Sequence, residues 1–162
     1  MSICIVTDSC ADLPEEFVSR YNISVAPFLS IFEDKTYRDG VDITPQQFYE
    51  KLARSNYIPT TGMVTPGYFS EMFAGLLRKY DTVIALIFDS KLSGAYNSAV
   101  TAAKNFPEDA VAVVDTKGAT LGQGLTVIKA ACMADQGATK EEILKEANRM
   151  VDDIRYAIVL GS

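Results

Sequence analysis

"TVIALIFDSKLSGAYNSA", residues 82–99, passes from an unbroken apolar stretch into a polar loop and on into a segment of helical character. An apolar, β-branched run without polar alternation fits a strand covered on both faces, the mark of a parallel sheet in an α/β domain. Ser93 stands just before Gly94 at the expected helix start. A hydroxyl and free backbone N–H groups at the partly positive end of a helix can seat an anion, and Gly94 lets such a group approach closely. The same serine can equally do no more than cap its own helix. The residues alone leave both readings open.

Working outward, residues 2–7 read as a first strand ending in Asp8-Ser9-Cys10, and Asp12, Pro14 and Glu15 give a helix-start signature with Asp12 as the capping candidate. Residues 24–31 are apolar and β-branched enough for a strand, followed by a turn at Glu33-Asp34, a short strand and a second turn at Asp39-Gly40. This predicts a short antiparallel excursion near residues 24–40. Thr44-Pro45-Gln46-Gln47 is a capping box that opens a helix carrying Phe48 and Leu52 on one face, and residues 56–69 follow as a turn-rich loop. Thr65-Pro66 starts a helix in which Phe69, Met72, Phe73 and Leu76 keep the helical period. Beyond the opening stretch come a strand over 110–115, an apolar helix over 121–135, a helix capped by Thr139 and Glu142 that runs to about Val151, and a last strand over 155–160. Strands spaced by helices predict one α/β domain over residues 1–162, with a mostly parallel sheet and helices on both faces.

The composition excludes several functions. The net charge is −6, from 15 basic and 21 acidic residues without long blocks of either sign, so the clustered basic surface that nucleic acid requires is missing. No apolar run reaches the roughly 20 residues of a membrane span, and residues 1–10 lack the basic flank and apolar core of a secretory signal. A cytoplasmic protein without an integral membrane segment is expected. Its three cysteines have no metal-ligand spacing, and no histidine is present to complete a zinc site or a Ser-His or Cys-His pair, so no metal and no cofactor is expected. Cys4 and Cys132 read as core thiols.

In open α/β sheets ligands collect at the carboxyl ends of strands. Three polar loops hold that position: Asp8-Ser9, Ser90 to Gly94, and Asp115 to Thr120, while Pro59-Thr60-Thr61-Gly62 precedes a helix and can fold over the same edge. Thr60 and Thr61 on their own are as well explained as turn residues. Asp8 after an apolar strand admits a phosphotransfer nucleophile, hence a phosphatase or phosphotransferase; the commoner role for such an aspartate is to bond the N–H groups of its own loop. No P-loop pattern is present around Lys117-Gly118.

Five segments, "IVTDSCADLP" (5–14), "YRDGVDIT" (37–44), "PTTGMVTPGYF" (59–69), "DSKLSGAYNSA" (89–99) and "VVDTKGATLGQGL" (113–125), together resemble the DegV family of bacterial fatty-acid-binding proteins and occur in family order. The resemblance implies a carrier that buries one long-chain fatty acid and presents its carboxylate to the separate ATP-binding subunit of a fatty acid kinase, without catalysing a reaction itself. Carried onto this sequence, it implies carboxylate contacts at Thr61 and Ser93, supported by Thr60 and Gly94. Phe28, Leu29, Ile31 and Met63 are candidates to line the acyl chain, with Asp8 and Ser9 at the pocket edge; ordinary core packing is the competing explanation for the apolar four. Gly62 and Met63 depart from the small polar residue and glutamine associated with the family at that loop. The resemblance stops at Leu160, so the chain is expected to be the family's N-terminal domain without the second domain that completes the tunnel. A fragment unable to bind ligand is therefore a further alternative.

Overall fold

The computed structural model describes residues 2–33 and 35–157. Strands β1 (Ile3–Asp8), β2 (Ser24–Ala26), β6 (Thr82–Ile87) and β7 (Val111–Asp115) pair in parallel in the order β2-β1-β6-β7. Strands β3 (Leu29–Ile31), β4 (Thr36–Arg38) and β5 (Thr60–Gly62) make a small antiparallel sheet in the order β4-β3-β5. The helices are α1 (Glu15–Arg20), α2 (Pro45–Arg54), α3 (Pro66–Leu76), α4 (Ala95–Ala103), α5 (Thr120–Asp135) and α6 (Lys140–Asp153), with a 3-10 turn at Ser9–Ala11. The predicted α/β class is the observed one.

Every residue of β6 is buried. Its side chains alternate between two cores, as the pleat of a strand requires. Val83, Ala85 and Ile87 join Phe69 and Phe73 of α3 and Ala95, Ala99 and Ala102 of α4. Ile84 and Leu86 join Val127, Ala130 and Ala131 of α5 and Ile143 and Ala147 of α6. Small residues on α4 and α5 let those helices lie close to the sheet. Both capping boxes form as read: Thr44 with Gln47 on α2, and Thr139 with Glu142 on α6.

Five local expectations are corrected. Residues 24–31 are not one strand, because Pro27 offers no N–H to a ladder and the Phe28 N–H donates to Ser9 Oγ (3.1 Å), so β2 and β3 enter different sheets. Residues 60–62 are a strand rather than loop, paired with β3. Asp12 does not cap α1; it takes a left-handed conformation (φ 47°) that closes the 3-10 turn, and Pro14 occupies the capping position. Of the strand expected over 155–160, residues 155–157 have no regular pairing and residues 158–160 lie outside the described residues. Cys4 is buried as expected, whereas Cys132 is partly exposed.

Gly124 marks the tightest backbone approach. A Cβ there would sit 2.6 Å from the carbonyl oxygen of Ala11, so α5 and the 3-10 turn meet main chain to main chain. Gly124→Ala is expected to destabilise by about 1 to 3 kcal/mol, the usual cost of overpacking a site that cannot yield, measured as a lower urea midpoint at unchanged slope.

Candidate ligand-binding site

Strand order reverses beside β1, with β2 on one side and β6 and β7 on the other. Such a switch point opens a crevice at the carboxyl ends of the two central strands. Asp8 lies at this edge as the last residue of β1. Asp8 is fully buried; its Oδ2 accepts the Phe88 N–H (2.8 Å), and its Oδ1 accepts the Cys10 N–H (3.0 Å) and the Gln123 side-chain amide (3.2 Å). The same amide donates to Thr7 Oγ1 (3.1 Å), whose hydroxyl donates to the Leu86 carbonyl (2.8 Å). Burial pushes the Asp8 carboxyl above the usual carboxylate range, against the opposing pull of these N–H donors. With both oxygens engaged and shielded, Asp8 does the bonding job of a loop aspartate, and the geometry gives no support to a phosphotransfer nucleophile. Burial and the neighbouring Asp8 charge also push the Cys10 thiol far up, which keeps it protonated and a poor nucleophile.

The loops on either side are built by the same chemistry. Asp115 Oδ1 accepts the Lys117 N–H (2.9 Å) and reaches across to the Ser90 N–H (3.2 Å), and Asp89 Oδ1 accepts the Lys91 N–H (2.7 Å). Ser93 is partly exposed, and its Oγ accepts the Ala95 N–H (3.2 Å) at the start of α4. That bond uses a lone pair and leaves the O–H proton free to donate outward. Gly94, not Ser93, holds the capping position of α4. A Cβ on Gly94 would lie 2.7 Å from Met63 Sδ, so the side chain that follows β5 is seated on the serine-glycine loop. Met63 thereby joins the strand bearing Thr60 and Thr61 to the loop bearing Ser93.

The small sheet divides the other candidates. Thr61 pairs with Ser30, while Gly62 and Thr60 pair with Leu29 and Ile31, and a Cβ on Gly62 would touch both Leu29 and Ile31. Leu29, Ile31 and Thr60 therefore share one face, and Thr61 lies on the other with Ser30 and Tyr37. Ile31 and Thr60 border an open concavity of about 240 Å³, and one of about 510 Å³ lies beside it between Phe32 and α2; neither reaches Thr61 or Ser93. Phe28 packs edge-on against Phe88 at 6.0 Å between ring centres and belongs to the core on the α3 side. Ser9 is tied to Phe28 through its Oγ.

Sequence reasoning missed three features of this edge. Gln123 is a lone amide inside an apolar helix, and nothing in its spacing announces that it bonds Asp8; its Oε1 is buried without a hydrogen-bond partner among the described residues. Leu92 (65% exposed), Leu121 (70%) and Leu125 add apolar surface around the loops to that of Met63, already a candidate from the sequence. The i, i+4 spacing of Leu121 and Leu125 was the available signal for one face of α5. Tyr156 reaches back over Gly118 and Gly122. Among the described residues no group of three or more His, Cys, Asp or Glu could hold a metal ion, and no helix is long and apolar enough to cross a membrane.

The comparisons with known proteins agree with this architecture. A DegV domain-containing protein of Caldanaerobacter subterraneus subsp. tengcongensis is 44% identical over 160 residues, which cover 99% of this chain and 57% of that relative. A DegV family protein from Thermus thermophilus, described for its fatty acid binding, superposes with a TM-score of 0.86 at 36% identity over 94% of this chain and 54% of the other. DegV of Bacillus subtilis, a fatty acid binding protein, superposes with a TM-score of 0.86 at 32% identity and the same two coverages. The chain thus spans a little over half the length of the relatives it matches. The model of the family described as "Uncharacterised protein, DegV family" extends over residues 2–162, and with both sheets and the loops between them inside that match, the chain belongs to the DegV family.

Proposed function

We propose that this chain binds a long-chain fatty acid at the carboxyl edge of its parallel sheet, with Ser93 and Thr61 donating to the carboxylate. The observation that carries the reading is Ser93: its oxygen accepts from the head of α4, which leaves its proton available for a ligand, and among the described residues Gly94 beside it is contacted only by Met63 within reach of a Cβ. Solved structures at 36% and 32% identity are named for fatty acid binding, which supports the ligand class. Leu92, Leu121, Leu125 and Met63 supply the start of an apolar path. A chain of about 15 methylenes contributes on the order of 12 kcal/mol before ordering and association costs, so the tail supplies most of the affinity and the hydroxyls fix its direction.

In this reading the protein is a carrier. It holds the fatty acid so that a separate ATP-binding kinase subunit phosphorylates the exposed carboxylate. The test compares a long-chain fatty acid with its matched fatty alcohol by titration calorimetry. Ser93→Ala and Thr61→Ala are each expected to weaken the acid about tenfold, the worth of one hydrogen bond to a charged group, and to leave the alcohol nearly unaffected. Equal weakening of both ligands, or of neither, overturns the assignment of the carboxylate to these hydroxyls.

A further inference from the structure

The loop between β7 and α5 is held in an uncommon conformation. Lys117 (φ 49°) and Thr120 (φ 48°) both lie in the left-handed region without being glycine, and threonine is β-branched besides. Backbone of this kind persists only where its surroundings over-determine it. The Asp115 carboxylate bonds the Lys117 N–H from within the loop. From outside, Lys117 Nζ meets Asp152 of α6 at 3.6 Å, and the Tyr156 ring lies against two glycines. A Cβ on Gly118 would fall 1.6 Å from the phenol oxygen, and one on Gly122 would fall 2.5 Å from the same oxygen and from Cε1. The ion pair is exposed on both sides and holds little on its own. The ring is the larger contact.

The other side of this loop is bonded to the loop that carries Ser93. The Asp89 N–H donates to the Gly118 carbonyl (3.2 Å), the Ser90 N–H to Asp115 Oδ1 (3.2 Å), and the Thr116 hydroxyl to the Ile87 carbonyl (2.9 Å), with the Gly118 carbonyl 3.3 Å from the same oxygen sharing its one proton. The Ser93 N–H in turn donates to the Asp89 carbonyl (3.1 Å). An unbroken series of contacts therefore runs from the Tyr156 ring through Gly118 and Asp89 to Ser93.

We propose that Tyr156 is a positioning residue for Ser93: its ring, keyed between Gly118 and Gly122, holds the strained loop against the Ser93 loop and so sets the direction of the serine hydroxyl. The mechanical part stands on contacts alone, while its consequence for ligand rests on the carboxylate reading above. Phenylalanine keeps the ring and alanine removes it, so the two variants separate the wedge from the hydroxyl.

The experiment follows amide hydrogen exchange at Asp89 and Ser90 in the 162-residue chain. Tyr156→Ala is expected to speed exchange at both amides about tenfold through local opening, with Tyr156→Phe close to the parent. Gly118→Ala, whose Cβ would displace the ring, is expected to act like Tyr156→Ala, and the double variant to show no further loss, the non-additivity of two groups in one contact. Unchanged exchange in Tyr156→Ala, or an equal loss in Tyr156→Phe, overturns the wedge. The same variants are then titrated with the fatty acid and the matched alcohol: discrimination between them is expected to fall about fivefold in Tyr156→Ala and to persist in Tyr156→Phe. Retained discrimination in Tyr156→Ala overturns the link to Ser93. A parent chain that binds neither lipid would refute the carboxylate reading while the exchange data still decide the wedge.

Discussion

Replacing Asp8 with alanine is expected to lower the unfolding free energy by about 3 to 5 kcal/mol, because several donors lose their acceptor at once and each buried orphan costs about 1 to 3 kcal/mol. The donors are the Phe88 and Cys10 N–H groups and the Gln123 amide. Cys10 is partly exposed and can recruit water, and the Gln123 amide keeps Thr7 Oγ1 as an acceptor, which holds the total to the lower part of the summed range. Asp8→Asn keeps one acceptor and is expected to lose about half as much. Urea unfolding of the three proteins at neutral pH checks the order, and equal stability of parent and Asp8→Ala would mean that these hydrogen bonds contribute nothing net. The pH dependence carries its own sign. Because burial raises the folded pKa of Asp8, the native state binds more protons than the unfolded chain over the interval above the ordinary carboxylate range. The protonation-linked part of the Asp8 contribution is complete at low pH and is lost as pH rises through the raised folded value, while the bonds from Phe88 and Cys10 remain. Asp8→Ala is expected to remove that part of the stability profile.

Gln123→Glu is expected to turn the same contact into a pH-controlled fault. The Gln123 side chain is fully buried, with Nε2 3.2 Å from Asp8 Oδ1. A carboxyl in its place gives two acids one proton to share, the arrangement that raises one of the pair strongly. At about pH 4 the shared proton bridges them and stability stays near that of the parent. At pH 7 an uncompensated buried charge costs about 3 to 5 kcal/mol. The sign follows from linkage: the upper folded value of the pair lies above the unfolded carboxylate values, so stability falls as the shared proton leaves. Denaturant midpoints at the two pH values read the difference, and an equal loss at both would assign the effect to packing instead of charge.

What could be read in the sequence was whatever depends on neighbours along the chain. The capping boxes at Thr44 and Thr139, the proline at the start of α3 and the continuous apolar run of β6 each have a local physical cause and appear where expected. The split of residues 24–31 turned on whether Pro27 and Phe28 found partners in a ladder, and Phe28 was instead taken by Ser9 from another strand end. Thr60–Gly62 carries no alternation of its own and is a strand because β3 lies beside it. Gln123 and Tyr156 were invisible for the same reason, since an amide in a helix and a tyrosine within a presumed strand acquire roles only from Asp8 and from two glycines distant in sequence. The loops of the candidate site were legible as loops with hydroxyls and glycines. Which face of the small sheet each residue takes required the register.

The two proposed anchors ride on parts of unequal strength. Ser93 follows β6, whose pairing with β1 spans five residue pairs at the centre of both cores. Thr61 belongs to a three-residue strand whose ladder, among the described residues, runs only to β3. Prying the small sheet open breaks short ladders and leaves the β1–β6 pairing whole, so its free energy lies below that of global unfolding. In the proposed binding mode a head group held by both would leave the threonine first and the serine afterwards, and exchange of the ligand would need only the small sheet to open while the parallel sheet stays folded.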